Sequence, residues 1–478
     1  MPHFLHIATV AAYNREKAGA EPDPSQEGNK EVSITEHRQD GRRIKVSKGK
    51  TIVEVVKDGL CTGCGTCVGI CPLDAVEMVI DRREGVYVPS LNKERCTECG
   101  LCFDVCPGHT VDFRQLNLEI FGKEPDDILV GNCLSCHTGY ATDYNIRYNS
   151  ASGGLVTSLL IFALKEGIID GALVTRMKKD RPLEPEPFIA RTREEIISAA
   201  KSKYCPVPAN IALKEIMERE GRYAVVGIPC HFHGIRKAER VIKKLEGRVV
   251  LHLGLFCTST PTFKGTERLL QMKGIPKDSV RTLDYRGQGW PGNMRMVLQD
   301  GSEKAFQFCA IWSDKTVGQF VFALPAKRCA LCIEGSSELA DISFGDAWMD
   351  KFRGDKVGRS VILCRNEIGR ALLERARTSR LVEITELDTN EIIKAQPMLS
   401  LRKHRFASLV FLTRALGKNR PKYNQNLPKT KVPYRRVAEI KHILFFLLRS
   451  VAPETIVWYI YILWVRKRDI RRPLFKSR

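Results

Sequence analysis

The sequence predicts an α+β protein in which a small cysteine-rich domain precedes a larger α/β domain and a basic, partly apolar C-terminal tail. The small domain is indicated by two cysteine runs, CTGCGTCVGICP and CTECGLCFDVCP, which lie between Cys61 and Pro107. The larger domain is indicated by short apolar segments that alternate with helical patterns, as in an α/β core. The tail is indicated by charge, because Lys and Arg outnumber Asp and Glu by 20 to 3 between Arg402 and Arg478.

Both cysteine runs have the spacing C-x2-C-x2-C-x3-C-P, in which a loop gives three thiolates to one 4Fe-4S cluster and its fourth to the neighbouring cluster. Gly63, Gly65 and Gly100 permit the tight loops that this arrangement needs. Zinc or disulfides are the alternatives, but paired C-x2-C zinc units leave the repeated third and fourth cysteines unexplained. We therefore expect two clusters, the first held by Cys61, Cys64, Cys67 and Cys106 and the second by Cys96, Cys99, Cys102 and Cys71.

The chain of 478 residues has room for several domains, and its hydrophobic content of 43% is ordinary for a globular protein. We expect a mobile leader over residues 1–50, the ferredoxin-like domain with two 4Fe-4S clusters over 51–115, the larger domain over 116–400 and the basic amphipathic tail over 401–478. The apolar first twelve residues lack a basic start and a cleavage site, which predicts a cytoplasmic protein.

Several local patterns place chemistry-bearing residues in the larger domain. SASGG precedes an apolar helix at Leu155, which leaves backbone N-H groups open to a phosphate or simply permits close helix packing. Segments Tyr223–Ile228 and Val249–Phe256 are predicted buried strands that end next to cysteines. The pattern Cys133-Leu-Ser-Cys-His suits covalent haem, but that attachment normally occurs outside the cytoplasm. An unremarkable cysteine pair and an auxiliary metal or redox pair stay open.

The ordered segments SASGGLVTSLL, AKSKYCPVPAN, VVGIPCHFHGIRKA, LGLFC, the C-x2-C at Cys329 and ELADISFGDAW resemble the beta subunit family of coenzyme F420 hydrogenase and dehydrogenase. The resemblance covers residues 51–400. It implies an oxidoreductase with an FAD-binding catalytic domain, which exchanges hydride with coenzyme F420 and passes single electrons through 4Fe-4S clusters to a partner subunit or complex. A flavin suits this role because it can convert between two-electron and one-electron transfer.

Candidate site residues follow from these segments. We expect a third 4Fe-4S cluster on Cys230, Cys257, Cys329 and Cys332, with Cys205 as a competing ligand; the alternative is that Cys230 and Cys257 are buried apolar residues. For FAD we expect Ser152, Gly153 and Gly154 at the pyrophosphate, with Lys201, Lys203, Tyr204 and Asn210 giving charge and polar contacts. Hydride transfer between stacked rings needs no acid-base residue, so we name no catalytic side chain. His231, His233 and Asp346 are predicted in loops, where they face the flavin or serve as ordinary polar residues.

The tail and the substrate admit further readings. The apolar segments Ile443–Leu448 and Ile456–Val465 are too short to span a bilayer. Peripheral attachment to the inner face of the membrane and docking against the core or a partner subunit both fit them. A nucleic-acid-binding iron–sulfur protein is a remote alternative function, but no nucleic-acid partner is expected, since the basic residues are not interleaved with aromatic ones as in a known module. The same scaffold also suits a chlorophyllide-type reductase or a formate dehydrogenase beta-like electron carrier.

Overall fold

The computed structural model describes residues 47–308 and 318–425, together with the separate positions 38–39, 42–43, 456 and 460. Most of the predicted leader, the apolar tail segment Ile443–Leu448 and all of Ile456–Val465 except Ile456 and Ile460 lie outside the described residues. Among the described helices, none is both long and apolar enough to cross a membrane.

Short strands and helices alternate along the described chain. The strands are Arg38–Gln39 (β1), Arg42–Arg43 (β2), Val76–Asp81 (β3), Val86–Leu91 (β4), Thr110–Val111 (β5), Ser135–Ala141 (β6), Gly171–Met177 (β7), Pro185–Ala190 (β8), Tyr223–Gly227 (β9), Val249–Leu255 (β10), Val280–Asp284 (β11), Asn293–Leu298 (β12), Glu303–Gln307 (β13), Ile342–Asp346 (β14), Ser360–Cys364 (β15), Val382–Glu386 (β16) and Lys422–Tyr423 (β17). The α-helices are Ile52–Lys57 (α1), Thr66–Gly69 (α2), Leu101–Asp104 (α3), Phe113–Phe121 (α4), Tyr144–Tyr148 (α5), Leu155–Lys165 (α6), Arg193–Ser198 (α7), Leu213–Glu218 (α8), Pro229–Glu239 (α9), Lys243–Arg248 (α10), Phe263–Met272 (α11), Gly318–Val321 (α12), Glu367–Thr378 (α13), Thr389–Ala395 (α14) and Met398–Ala415 (α15).

A mixed sheet of eight strands forms the body, in the order β16-β6-β15-β14-β10-β9-β7-β8. The four central strands β14, β10, β9 and β7 are parallel, and the outer strands are antiparallel. Because the central strands point the same way, their carboxyl ends share one edge of the sheet, which in open α/β sheets is where ligands bind.

The two faces of this sheet are covered differently. Helices α6 and α13 bury Leu159 and Leu373 against one face. On the other face, helix α9 and the N-terminal module share one core, in which Ile52, Phe113 and Phe232 are all buried. The N-terminal module, residues 51–113 with α1 to α3 and β3 to β5, therefore packs against the body as part of the same hydrophobic core.

Close backbone contacts fix the position of the module. A Cβ atom added to Gly69 would lie 2.1 Å from the carbonyl oxygen of Asn210, and one added to Gly234 would lie 2.1 Å from Thr66 Oγ1. The buried Asn210 amide donates to Thr66 Oγ1 at 2.8 Å and to the carbonyl of His231 at 2.9 Å. Small residues and a buried amide thus hold the first cysteine loop against α9.

A buried charge network joins β10 to α9 and β14. His252 Nε2 lies 2.7 Å from Glu239 Oε1, and its Nδ1 lies 3.1 Å from Asp341 Oδ2. Arg236 contacts both of these carboxylates, at 3.0 and 3.2 Å. Burial and Arg236 oppose the charged imidazole, but the two carboxylates prevail and raise the pKa of His252.

The predicted start of the tail at residue 401 falls inside helix α15. This helix buries Arg402, Lys403 and Leu409, and the chain then returns as β17, which pairs with β5 of the N-terminal region. Residues 401–425 therefore belong to the packed body. The predicted boundary rested on charge alone, whereas in the structure Arg402 donates to the carbonyl of Glu334 and Lys403 lies 3.5 Å from the carboxylate of Glu338.

Candidate functional site

A large cavity lies at the carboxyl edge of the parallel strands. Its volume is about 750 Å³, within the range of small-molecule and cofactor sites. The ends of β7, β9, β10 and β14 line it, together with the start of α6 and the segment 199–207. Its wall also includes Cys61 from the N-terminal module and Cys230, Cys257, Cys329 and Cys332 from the body. One space therefore meets both the predicted flavin segments and the predicted cluster cysteines.

The SASGG turn opens helix α6 at the cavity wall. Ser152 and Gly154 line the cavity, and Gly154 is the left-handed N-cap with φ +75°, a conformation that favours glycine. Gly153 lies outside the lining; a Cβ there would meet the Gly139 carbonyl at 2.6 Å. The Ser152 hydroxyl donates to the carbonyl of Arg359 at 2.7 Å. The turn thus presents the start of an eleven-residue helix to the cavity, where its free N-H groups favour an anion.

The second predicted flavin segment is split between the cavity and the module. Lys201, Lys203 and Tyr204 line the cavity. Lys201 Nζ lies 2.5 Å from Asp284 Oδ2, and Tyr204 stacks on Phe308 with ring centroids 4.6 Å apart. Asn210 is fully buried outside the lining. Its amide instead connects the module to α9, a contact that the sequence analysis did not anticipate.

Lys203 is folded back onto its own loop. Burial lowers the pKa of Lys203 to about 7. Its Nζ nevertheless donates to the carbonyl oxygens of Ala199, Ala200 and Lys201 at 2.5, 2.6 and 3.0 Å, which uses all three N-H bonds of an ammonium group. We therefore take Lys203 as charged, and its contacts shape the 199–207 segment.

The three polar residues predicted in loops occupy ordered positions on the cavity wall. His231 and His233 lie in helix α9 and not in a loop, because the chain enters the helix directly at Pro229. His231 Nε2 donates to the carbonyl of Val207 at 3.0 Å, and burial lowers the pKa of His231 to about 4, so this ring is neutral. Asp346 ends β14 and binds both terminal nitrogens of the buried Arg286, at 2.9 and 3.1 Å.

The eight cysteines of the N-terminal module fall into two groups by their mutual electrostatic effects. Burial raises the pKa of Cys67, and Cys64, Cys106 and Cys61 raise it further. Burial likewise raises the pKa of Cys102 to about 11, with Cys99, Cys71 and Cys96 as its cysteine neighbours. These are the two sets that the sequence spacing predicts. We name Cys61, Cys64, Cys67 and Cys106 the first module group, and Cys71, Cys96, Cys99 and Cys102 the second module group.

Four cysteines of the body also converge. Burial raises the pKa of Cys230, and so do Cys64, Cys257, Cys332 and Cys329. Cys230, Cys257, Cys329 and Cys332 are named the cavity group. Cys205, the competing candidate, lines the cavity but is not among the neighbours that raise the pKa of Cys230. Burial raises the pKa of Cys205 to about 12, although Lys203 and Tyr285 act in the opposite direction. The cavity wall includes the cavity group and Cys61 of the first module group but no cysteine of the second module group, so the groups follow one another from the cavity outward.

Three arginines that the sequence did not single out surround the cavity group, and two of them, Arg328 and Arg402, are buried. Arg328 precedes Cys329 and donates to the carbonyls of Leu60 and Gly108 in the module at 2.9 and 3.0 Å. Arg402 donates to the carbonyl of Glu334 at 2.6 Å. Arg405 donates to the carbonyl of Cys329 at 3.2 Å. Thiolates at the cavity group would raise the pKa of Arg402, against the cost of its burial, so this donor set suits a negatively charged cluster.

No three His, Cys, Asp or Glu side chains in the described ranges approach closely enough to share a single metal ion. In a 4Fe-4S cluster each of the four thiolates binds a different iron atom, so the four thiolates do not share one ion. The thiols are all free in the described chain.

Cys133 and Cys136 lie away from the cavity, at the start of β6. Their Sγ atoms are 3.5 Å apart. Gly139, three residues further along the strand, pairs with Ser360 on the cavity wall. The pair therefore belongs to the opposite edge of the sheet.

Comparison with known proteins agrees with this arrangement. Family models described as "Coenzyme F420 hydrogenase/dehydrogenase, beta subunit" match residues 136–214 with the N-terminal part and residues 220–390 with the C-terminal part. A "4Fe-4S dicluster domain" matches residues 60–111. The last match covers both cysteine runs of the N-terminal module.

Individual relatives carry the same description. The coenzyme F420 hydrogenase subunit beta of Methanothermobacter thermautotrophicus is 30% identical over 287 residues, covering 57% of this chain and 90% of the relative. The Methanosarcina barkeri subunit beta is 27% identical, covering 58% and 88%. A solved chain of the F420-reducing [NiFe] hydrogenase complex from Methanosarcina barkeri superposes with a TM-score of 0.50 at 23% identity, covering 62% of this chain and 98% of that one. The protein is thus an iron–sulfur oxidoreductase that belongs to the coenzyme F420 hydrogenase/dehydrogenase beta subunit family.

Proposed function

We propose that this protein exchanges hydride with coenzyme F420 through FAD held in the cavity and passes single electrons through three 4Fe-4S clusters to a partner. The observation that carries the proposal is the cavity itself, whose wall joins the start of α6 to the cavity group and to Cys61. A bound flavin supplies the conversion between hydride and single electrons. The chain's own residues have to bind it, align it with the coenzyme and hold the clusters nearby.

The cavity wall offers distinct contacts for the parts of a flavin nucleotide. The free N-H groups after Gly154 suit the pyrophosphate, and the ammonium group of Lys201, shared with Asp284 at 2.5 Å, lies on the same wall. Tyr204 and Phe308 supply stacked aromatic surface. The neutral His231 and the paired Arg286 and Asp346 add fixed polar groups. These residues would hold and orient the flavin, and no side chain is needed to move a proton.

The cysteine groups supply a route between the cavity and the module surface. The cavity group would hold the cluster nearest the flavin, the first module group the next and the second module group the last. Cys96 and Cys99 of the last group are only partly buried, whereas Cys230 and Cys257 adjoin the cavity. A partner that exchanges electrons with this protein would therefore dock against the second module group.

The named relatives are hydrogenase subunits, which supports a partner subunit or complex for this chain. For the tail we retain two proposals, a peripheral membrane contact and a partner contact. Vesicle flotation of the full chain and of a chain shortened before residue 435 separates them, because loss of binding on shortening supports the membrane contact and unchanged binding excludes the tail as the anchor.

The direct test of the proposed reaction is an anaerobic assay of the purified holoprotein with reduced coenzyme F420 and an artificial one-electron acceptor. We expect the coenzyme to be oxidised, which is measured by the change in its absorbance. The reaction should require bound FAD. Absence of turnover with several acceptors, from protein that contains FAD and clusters, would reject coenzyme F420 as the substrate and favour another reductant on the same scaffold.

Iron analysis tests the number of clusters. Three cubane clusters require about twelve irons per chain, and the Cys329→Ser variant should lose the cavity cluster and retain about eight. A wild-type value near eight, unchanged in that variant, would leave only the two module clusters.

The flavin site is tested by removing the charge of Lys201. Lys201 has φ +74°, so Lys201→Asn removes the ammonium group while keeping a residue that tolerates the left-handed conformation. We expect about a tenfold weaker affinity for FAD, because one charge-assisted contact is lost. Lys165→Asn, at the exposed far end of α6, is the matched control and should bind FAD normally. Equal FAD affinity in both variants would remove Lys201 from the site.

A further inference from the structure

A second pair of sulfur atoms, outside the proposed electron route, is arranged for chemistry of its own. Cys133 Sγ lies 3.5 Å from Cys136 Sγ, within 3.2 Å of the carbonyl oxygen of Ser135 and within 3.4 Å of that of Cys364. Cys136 Sγ lies 3.2 Å from the Thr389 hydroxyl. A disulfide bond of about 2.05 Å would need the two sulfurs to move together by only about 1.5 Å.

The surroundings of this pair favour a reactive thiolate. Buried Arg365 anchors the preceding loop by donating to the carbonyls of Val130 and Asn132 at 2.6 and 2.9 Å, which places its charge beside both sulfurs. Hydrogen bonds from Cys133 and Thr389, with Arg365, lower the pKa of Cys136 to about 7 against the effect of burial. The hydrogen bond to Cys136 and burial raise the pKa of Cys133, so Cys136 is the thiolate of the pair and can accept the proton of Cys133. Thiolate character and access together control cysteine reactivity.

Access is provided at one end of the pair. Cys133 is partly exposed, Cys136 is buried with 6% exposure, and Leu134 between them is 45% exposed. An incoming sulfur compound can thus reach Cys133 first, with Cys136 behind it. This is the order needed for an attacking and a resolving cysteine.

We propose that Cys133 and Cys136 form a thiol–disulfide exchange site for low-molecular-mass disulfides. The Cys133 sulfur attacks the incoming disulfide while its proton passes to the Cys136 thiolate. The S–S bond of the small disulfide breaks, one thiolate leaves, and a mixed disulfide forms on Cys133. The Cys136 sulfur then attacks Cys133 and releases the second thiol. Counted from the dithiol, the two cysteines lose two electrons and two protons, and the small disulfide takes up both. This exchange requires neither FAD nor coenzyme F420, and it is independent of the number of clusters.

The pair can be followed in the full-length holoprotein, because cleavage after Lys123 and Arg147 gives a peptide whose only cysteines are Cys133 and Cys136. The protein is equilibrated anaerobically with mixtures of oxidised and reduced glutathione, the thiols are alkylated, and this peptide is weighed by mass spectrometry. We expect an unalkylated form lighter by two hydrogens than the dithiol, which disappears when dithiothreitol is added. A peptide that stays doubly alkylated at every ratio, in protein that keeps its clusters, would overturn the proposal.

Single variants test the assigned roles. Cys136→Ser should accumulate a stable glutathione adduct on Cys133, and Cys133→Ser should form neither adduct nor disulfide. Cys364→Ser is the matched control, because Cys364 Sγ is directed to the carbonyl of Asn366 at 3.7 Å; it should retain the reversible disulfide. If the wild type instead forms a disulfide between Cys133 and Cys364, and Cys364→Ser forms no disulfide, Cys136 is not the resolving cysteine. The wild-type measurement decides the central claim even if a variant fails to fold.

Discussion

Removing the charge of Arg402 should lower the reduction potential of the cluster proposed at the cavity group. Arg402 is 1% exposed, so water screens its charge little. Its guanidinium donates to the carbonyls of Thr258 and Glu334, which lie next to Cys257 and two residues after Cys332. Reduction adds one negative charge to the cluster, and a nearby positive charge favours that state.

The size of the effect follows from Coulomb's law. At an effective dielectric constant of 20, a unit charge about 8 Å from the cluster contributes about 2 kcal/mol. For a one-electron step this is roughly 0.1 V. Arg402→Gln should therefore lower the reduction potential by about that amount. Arg402→Lys keeps the positive charge, so its reduction potential should stay close to that of the wild type.

The measurement is an anaerobic potentiometric titration followed by electron paramagnetic resonance. The signal that disappears in Cys329→Ser identifies the cavity cluster. Arg414→Gln, exposed on the same helix α15, is the control that should leave the potential unchanged. An equal potential in Arg402→Gln and the wild type, with all clusters present, would refute the electrostatic role of Arg402. A shift confined to the module clusters would refute its placement beside the cavity group.

Two further predictions concern stability. Gly69→Ala places a Cβ 2.1 Å from the Asn210 carbonyl oxygen and should cost about 1–3 kcal/mol by overpacking, visible as a lower thermal midpoint with earlier iron loss. Gly247→Ala meets no atom within 4 Å and should be neutral or slightly stabilising in its helix; equal midpoints would contradict the close packing. Because the folded-state pKa of His252 is raised, its contribution to stability is complete below its unfolded pKa and is lost as pH rises through the folded value. The wild type should therefore lose more stability than His252→Gln between about pH 6 and 9 in parallel denaturation curves; parallel pH profiles would exclude a charged His252.

The sequence predicts the parts of the site whose spacing is local. Three cysteines of each module group lie within one loop, so the C-x2-C-x2-C repeat identifies them without tertiary information. The predicted strands Val249–Phe256 and Tyr223–Ile228 each differ by one residue from the observed β10 and β9. Alternating or periodic apolar residues set these elements directly.

The missed residues are those that act across long sequence distances. Arg402 donates to the carbonyls of Thr258 and Glu334, beside the cavity group, from a helix that the sequence assigned to the basic amphipathic tail. A single sequence does not show which of many cations is buried. Asn210 lies in a segment expected to contact flavin, yet its amide bonds Thr66, 144 residues earlier. Such contacts depend on how α2 packs against α9, and the local periodicity of the sequence does not predict the packing of distant elements.

The core that the N-terminal module shares with the body limits how this protein can be rebuilt. A stand-alone fragment would present Ile52, Val55 and Phe113, now each at most 1% exposed, to water, and it would lose the Asn210 and Arg328 bonds at its inner surface. A foreign ferredoxin grafted onto the body would have to reproduce the same close contact, since a Cβ added to Gly234 would lie 2.1 Å from Thr66 Oγ1. Redox engineering of this scaffold should therefore alter single side chains around the cysteines and leave the module boundary in place.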